Sequence, residues 1–295
     1  MAQQQFFYGG QAVIEGVMIR GQRNYVVAAR DPEGEICTLS NPIPSLYSGI
    51  LRKVPFVRGT LVLLETLVVG MTALTYSARV SAGEEAQEYL GKATMAAMIA
   101  FSLGVGIALF FLAPLLIVEL GVDRYTSSSI VSNFSEGLIR LAIFGLYLKL
   151  ISLMPDIRRV FAYHAAEHMT VHAHEAKLEL NTANVRKFGA AHPRCGTAFL
   201  LTVMFVSILV FALLGTPDLP LRLASRIILI PFIAGVSYEI IRFSGVHEHN
   251  PLVKLLVYPS MALQKMTTRP PDDGMIEVAI TAMETAISAD QEPID

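Results

Sequence analysis

Tryptophan is absent from the 295 residues, cysteine occurs twice, and charged residues make up only 16%, where a soluble domain carries about 25%. Two cysteines cannot staple a small secreted fold. A formal net charge of −2 argues against a basic surface that reads nucleic acid, and no nucleic-acid partner is expected. The opening MAQQQFF lacks the basic stretch and apolar run of a secretory leader, so no cleaved signal peptide is expected. Internal repeats, heptads and a phosphate-binding loop are also missing. Gly104-Val105-Gly106 has no strand before it and reads as helix packing, not as a nucleotide loop.

What the chain has in abundance is apolar sequence, at 53% with a mean hydropathy of +0.50. Ala93 to Val118 is 26 residues without a formal charge, long enough to cross a hydrocarbon core of about 30 Å. Thr197–Gly215 is a second clean run; Leu138–Met154, carrying Arg140 and Lys149, and Ile227–Ile241, carrying Glu239, are weaker ones. Leu61–Tyr76, broken by Glu65, reads as a membrane-surface or re-entrant helix. With four spans at 93–118, 138–154, 197–215 and 227–241, one side collects eighteen Lys and Arg residues. The other has Arg124, Arg222 and Arg226. The positive-inside rule then places both termini and the 155–196 loop in the cytoplasm. The expected fold is mainly α, a polytopic membrane bundle of about four spans in the inner cell membrane, with the lipid bilayer as its first partner.

Two further regions flank this bundle. Residues 1–60 form a small cytoplasmic β-rich element, in which Val26–Ala29 and Glu35–Leu39 are extended runs joined by the turn Asp31-Pro32-Glu33-Gly34. The glycines at 9, 10, 16 and 21 read as turns and bulges. Residues 61–269 are the membrane domain. Residues 270–295 form a tail in which Met275, Val278, Ala279, Ala282, Met283 and Ile287 make one face of an amphipathic helix. Either end region could meet a protein partner. Asn133-Phe134-Ser135 matches a glycosylation sequon.

All seven histidines lie between 164 and 249, five of them within 164–192. After Pro155 the chain has helical character, and His168, Val171 and Glu175 stay within about 60° of His164 at 100° per residue. His164-Ala165-Ala166-Glu167-His168 is an H-x-x-E-H sequence. Histidines one turn apart can share a cation, and a Glu just before the second can serve as general base. Glu175 lies about 16 Å along the axis from His164 and cannot join the same ion on an unbroken helix. His172 pairs with His168 by spacing, a rival register. The third ligand must come from elsewhere: His192 first, Cys195 next as a thiolate near a helix start, then His247 and His249. Cys195 could equally be a small packed residue. Glu239 is either an ion-pair partner of Arg242 or a carboxylate directed at the site.

Three segments in order, GGQAVIEGVMIRG (9–21), YHAAEHMTVHAHE with HPRCGTAFL (163–200), and TTRPPDD followed by EVAI (267–280), resemble domain-of-unknown-function family 1385. The resemblance implies a bacterial multipass membrane protein described as a metal-dependent enzyme by inference, with no established substrate. Gln11, Glu15, Arg20, His164, Glu167, His168, Glu175, His192, Arg194 and Cys195 match its motifs, while Met169, His172 and His174 depart from them. It adds Glu15 and Arg194 to Cys195, Glu175 and Glu239 as additional ligands or supporting groups. The expected function is metal-assisted hydrolysis at the membrane interface, with His164, His168 and His192 on a divalent metal and Glu167 as base. Zinc is the default for such ligands, iron or manganese also being compatible. The alternative is a non-enzymatic scaffold or assembly factor with a structural metal or polar site.

Overall fold

The structure, a computed structural model, describes residues 6–44, 47, 49–87, 91–192, 195–215, 217–247 and 250–291; Arg194 and His249 lie outside these. Near the N-terminus, β1 (Gly9–Val13), β2 (Gly16–Arg20), β3 (Asn24–Arg30) and β4 (Ile36–Pro42) form one antiparallel sheet in chain order. The β3–β4 turn is the expected one. Gly34 takes φ +96°, and the Asp31 carboxylate accepts the Glu35 N–H at 2.8 Å. Val13 pairs with Gly16, leaving Ile14-Glu15 as a two-residue loop with Glu15 at φ +49°. Gly10 and Gly16 are not in turns. Both lie within strands, and a Cβ on either would come 2.2 Å from a neighbouring strand's carbonyl oxygen.

Strand side chains alternate between two buried faces. Val17, Ile19, Val26 and Ala28 pack against α5 (Pro155–Glu175) and α11 (Asp273–Gln291), the latter through Met275, Ile276, Val278, Ala279, Ala282, Met283 and Ala286. Met18, Tyr25 and Val27 pack against Val69 and Ala73 of α1 (Val57–Gln87). The apolar stripe of the C-terminal helix is thus covered by the chain's own sheet. Three stretches far apart in sequence share one core, with α5 and its histidines fastened directly to the sheet.

The remaining helices are α2 (Lys92–Ile107), a π turn (Ala108–Leu112), α3 (Ala113–Gly121), α4 (Ser129–Ile151), a short α6 (Thr182–Val185), α7 (Gly196–Leu214), α8 (Leu219–Ile228), α9 (Ile230–Val246) and α10 (Pro251–Thr267). By length and composition, three helices among the described residues could cross a membrane: Val57–Gly83, Ala93–Gly121 and Gly196–Leu214. The number rises to five if two bent pairs each count as one, α4 with α5 at 101° and α8 with α9 at 45°. The first of the three contains Leu61–Tyr76, which has the sheet on one side while Leu64, Leu67, Val68 and Leu74 are exposed on the other. Gly104 and Gly106, expected at a helix contact, face open space.

Inside the bundle lies a charged network. Glu136 accepts from Arg140 at 2.6 Å, Arg222 at 3.1 Å and Arg226 at 2.8 Å. Arg226 also donates to Asn133 Oδ1, which buries the sequon asparagine, and sits 3.9 Å over the Phe211 ring. Arg140 donates to the Phe110 carbonyl in the π turn, where the i→i−4 ladder is interrupted and a carbonyl is freed.

Candidate metal centre

Helix α5 starts on Pro155, whose missing N–H costs nothing at a first helical turn. Small residues at 162, 166 and 173 let it lie close to the sheet and α11. His164 and His168 then lie one turn apart, edge to face, with ring centroids 4.3 Å from each other. The Nδ1 of His164 is 2.9 Å from the Thr267 carbonyl, and that of His168 is 2.5 Å from the Ala190 carbonyl. A carbonyl only accepts, so each Nδ1 carries the proton and each Nε2 of the neutral ring keeps a lone pair.

These lone pairs have partners at hand. The Nε2 of His164 is 3.2 Å from Cys195 Sγ. Cys195 caps α7, and its sulfur accepts from the Thr197 N–H and hydroxyl at 3.4 Å and 3.2 Å. One ligand atom each from His164, His168 and Cys195 lie within 4.8 Å of one another. Two imidazoles with fixed tautomers and a thiol suit a borderline ion such as zinc, which would displace the thiol proton.

Glu167 is 3% exposed, with a carboxylate oxygen 3.5 Å from His168 Nε2. Burial pushes its pKa up to about 7, opposed by the backbone N–H of Gly10. Gly10 is what permits this approach, since a Cβ there would sit 3.1 Å from Glu167 Cγ.

His192, expected as the third partner of His164 and His168, is grouped instead with His172 and Glu175, again with ligand atoms within 4.8 Å of one another. The reason is the unbroken course of α5. The returning loop brings His192 beside the last turn, while Cys195, at the head of α7, lies beside the middle of the helix. Glu175 accordingly belongs to this second group and not to the first.

The other candidates lie outside both groups. Glu15 receives two 2.6 Å bonds from Arg159 and one at 3.3 Å from Tyr163, and the guanidinium holds its carboxyl below the usual range. Glu239 pairs with Arg58, not with Arg242, through Nε at 2.7 Å and a second close contact from Nη2. His247 bonds the Phe243 carbonyl and stacks on that ring.

A depressed carboxylate stabilises the fold above its unfolded pKa, and that contribution is lost as pH falls through the folded value. The stability lead of wild type over Glu15→Gln is therefore expected to be less than about 1 kcal/mol, given the partial exposure of the pair. It should shrink as pH is lowered through and below the usual carboxylate range, as read from thermal midpoints.

Sequence reasoning passed over Thr267, Ala190 and Gln264. The first two act through main-chain carbonyls, which leave no mark on residue identity. Gln264 is fully buried and holds His192 by both backbone groups, accepting from its N–H at 2.9 Å and donating to its carbonyl at 2.8 Å.

A family model described as "Protein of unknown function (DUF1385)" matches residues 54–289. The chain is 33% identical over 288 residues to the uncharacterized protein YqhQ of Bacillus subtilis (strain 168), covering 92% of this chain and 90% of the relative. No solved structure matches it.

Proposed function

Because the chain belongs to the DUF1385 family, whose description assigns no activity, we propose a function from the geometry: a multi-pass membrane protein carrying a zinc-dependent hydrolase site. The observation that carries this reading is the convergence of His164, His168 and Cys195, with both ring tautomers set by carbonyls and Glu167 alongside. A zinc ion held there supplies Lewis acidity for activating water or polarising an ester or amide carbonyl. Glu167 accepts the proton from the attacking water and returns it to the leaving group. Thr267 and Ala190 keep the imidazoles aimed.

The site sits on the cytoplasmic side of the inner membrane, an orientation that rests on the distribution of basic residues. In this arrangement α1 lies along the interface, its sheet-covered side inward and Leu64, Leu67, Val68 and Leu74 in the lipid. A lipid-linked or peptide substrate arriving at the interface suits that position. A structural cation in a scaffold protein is the second reading. It is favoured by the burial of Glu167 and His168, which leaves His164 as the member of the cluster with the most surface.

Zinc content of the full chain in detergent tests the site. The variant carrying His164→Ala and His168→Ala is expected to lose one equivalent relative to wild type, with helicity retained by circular dichroism. A folded double variant with wild-type zinc content would overturn the assignment.

A further inference from the structure

We propose that the last turn of α5 holds a second divalent cation, bound by His172, Glu175 and His192, beside the first cluster. Nothing in the family description assigns a cation to these residues. The inference rests on the reading above only in making the two cations neighbours; its three ligands are different residues.

His172 and Glu175 are three positions apart and therefore share a helix face. His192 joins them from the returning loop, its ring centroid 4.5 Å from that of His172. The group is held in place from three directions. The Gln264 amide clamps the His192 backbone, Val185 of α6 is buried in the sheet core, and Phe188 stacks on the His172 ring. The Ala191 carbonyl lies 3.0 Å from His172 Nε2. That nitrogen is consequently the donor, and Nδ1 keeps the lone pair.

Consecutive carbonyls of one loop thus fix successive histidines. Ala190 orients His168 for the first cluster, and Ala191 orients His172 for the second. Such bonds to the far nitrogen are the usual support of a metal-ligating imidazole. Glu175 Oε2 is 3.6 Å from His192 Nε2. Two imidazoles and one carboxylate make a harder donor set than the first cluster and accept manganese, iron(II) or zinc. The rings run as a continuous row, with centroids 4.3 Å between His164 and His168, 5.6 Å between His168 and His192, and 4.5 Å between His192 and His172. The row sets the two groups one after the other along α5.

The test uses the full chain in detergent, stripped and then titrated with cobalt(II) or zinc(II). Wild type should bind two equivalents. The variant with His172→Ala and Glu175→Ala should bind one and keep the thiolate-to-cobalt charge-transfer band, which Cys195 alone can give to these clusters. The variant with His164→Ala and Cys195→Ala should bind one and lose the band. Glu175→Gln, which preserves shape, guards against misfolding and should weaken one of the two sites by about tenfold or more. One equivalent that carries the band in wild type, or two in folded H172A/E175A, would overturn the second site. A band that survives in folded H164A/C195A, or absence of any band in wild type, would instead overturn the first.

Discussion

Glu167→Gln is expected to leave zinc bound and to slow hydrolysis of 4-nitrophenyl acetate by about 10²–10⁴-fold, the range for losing a positioned general base. The substitution is nearly isosteric. The amide oxygen can still accept from the Gly10 backbone, and the side chain still fills the space between β1 and α5. His164 and His168 keep their carbonyl partners at 267 and 190. What disappears is the ability to take up a proton 3.5 Å from His168 Nε2. Zinc content and rate measured on the same preparation separate the two readings of the site. Zinc retained with the rate lost is the expected outcome. Zinc and rate both retained would mean a structural cation, as would a zinc-stripped wild type that hydrolyses the ester equally well.

The local half of this site was legible in sequence, and the long-range half was not. The spacing of His164, Glu167 and His168 carries helix geometry within it, so their shared neighbourhood follows from 100° per residue. Choosing between His192 and Cys195 required knowing where the chain after α6 returns, and the two residues end beside different turns of α5. The C-terminal helix was readable from its apolar stripe, but not what covers it. That face meets strands some 250 residues earlier in the chain. Hydropathy located the clean helices Ala93–Gly121 and Gly196–Leu214. At α4 it caught Leu138–Met154 but missed the first turns, which carry Ser132, Asn133 and Glu136, all buried. Those residues look like loop polarity because the groups that satisfy them, Arg222 and Arg226, arrive about 90 residues later.

Replacing Glu136 with Leu is accordingly expected to destabilise the protein by about 3–5 kcal/mol, the cost of breaking a buried ion pair from one side. Glu136 is 1% exposed and is shared by Arg140, Arg222 and Arg226, of which Arg222 has a second carboxylate in Asp123. Without it, Arg222 keeps Asp123 while Arg140 and Arg226 lose their carboxylate partner, and burial of like charge adds to the lost hydrogen bonds. Leucine matches the volume closely enough that packing alone would cost far less. Removing a cation as well should recover part of the loss, so Glu136→Leu combined with Arg226→Leu should be more stable than Glu136→Leu alone. Arg226 is the partner to remove because it bonds both carboxylate oxygens and lies against Phe211, where leucine can still make apolar contact. Thermal midpoints of the three proteins in the same detergent would show it, through a deep drop for the single variant and a partial return for the double. A single variant with an unchanged midpoint would mean that these arginines find water instead of one another.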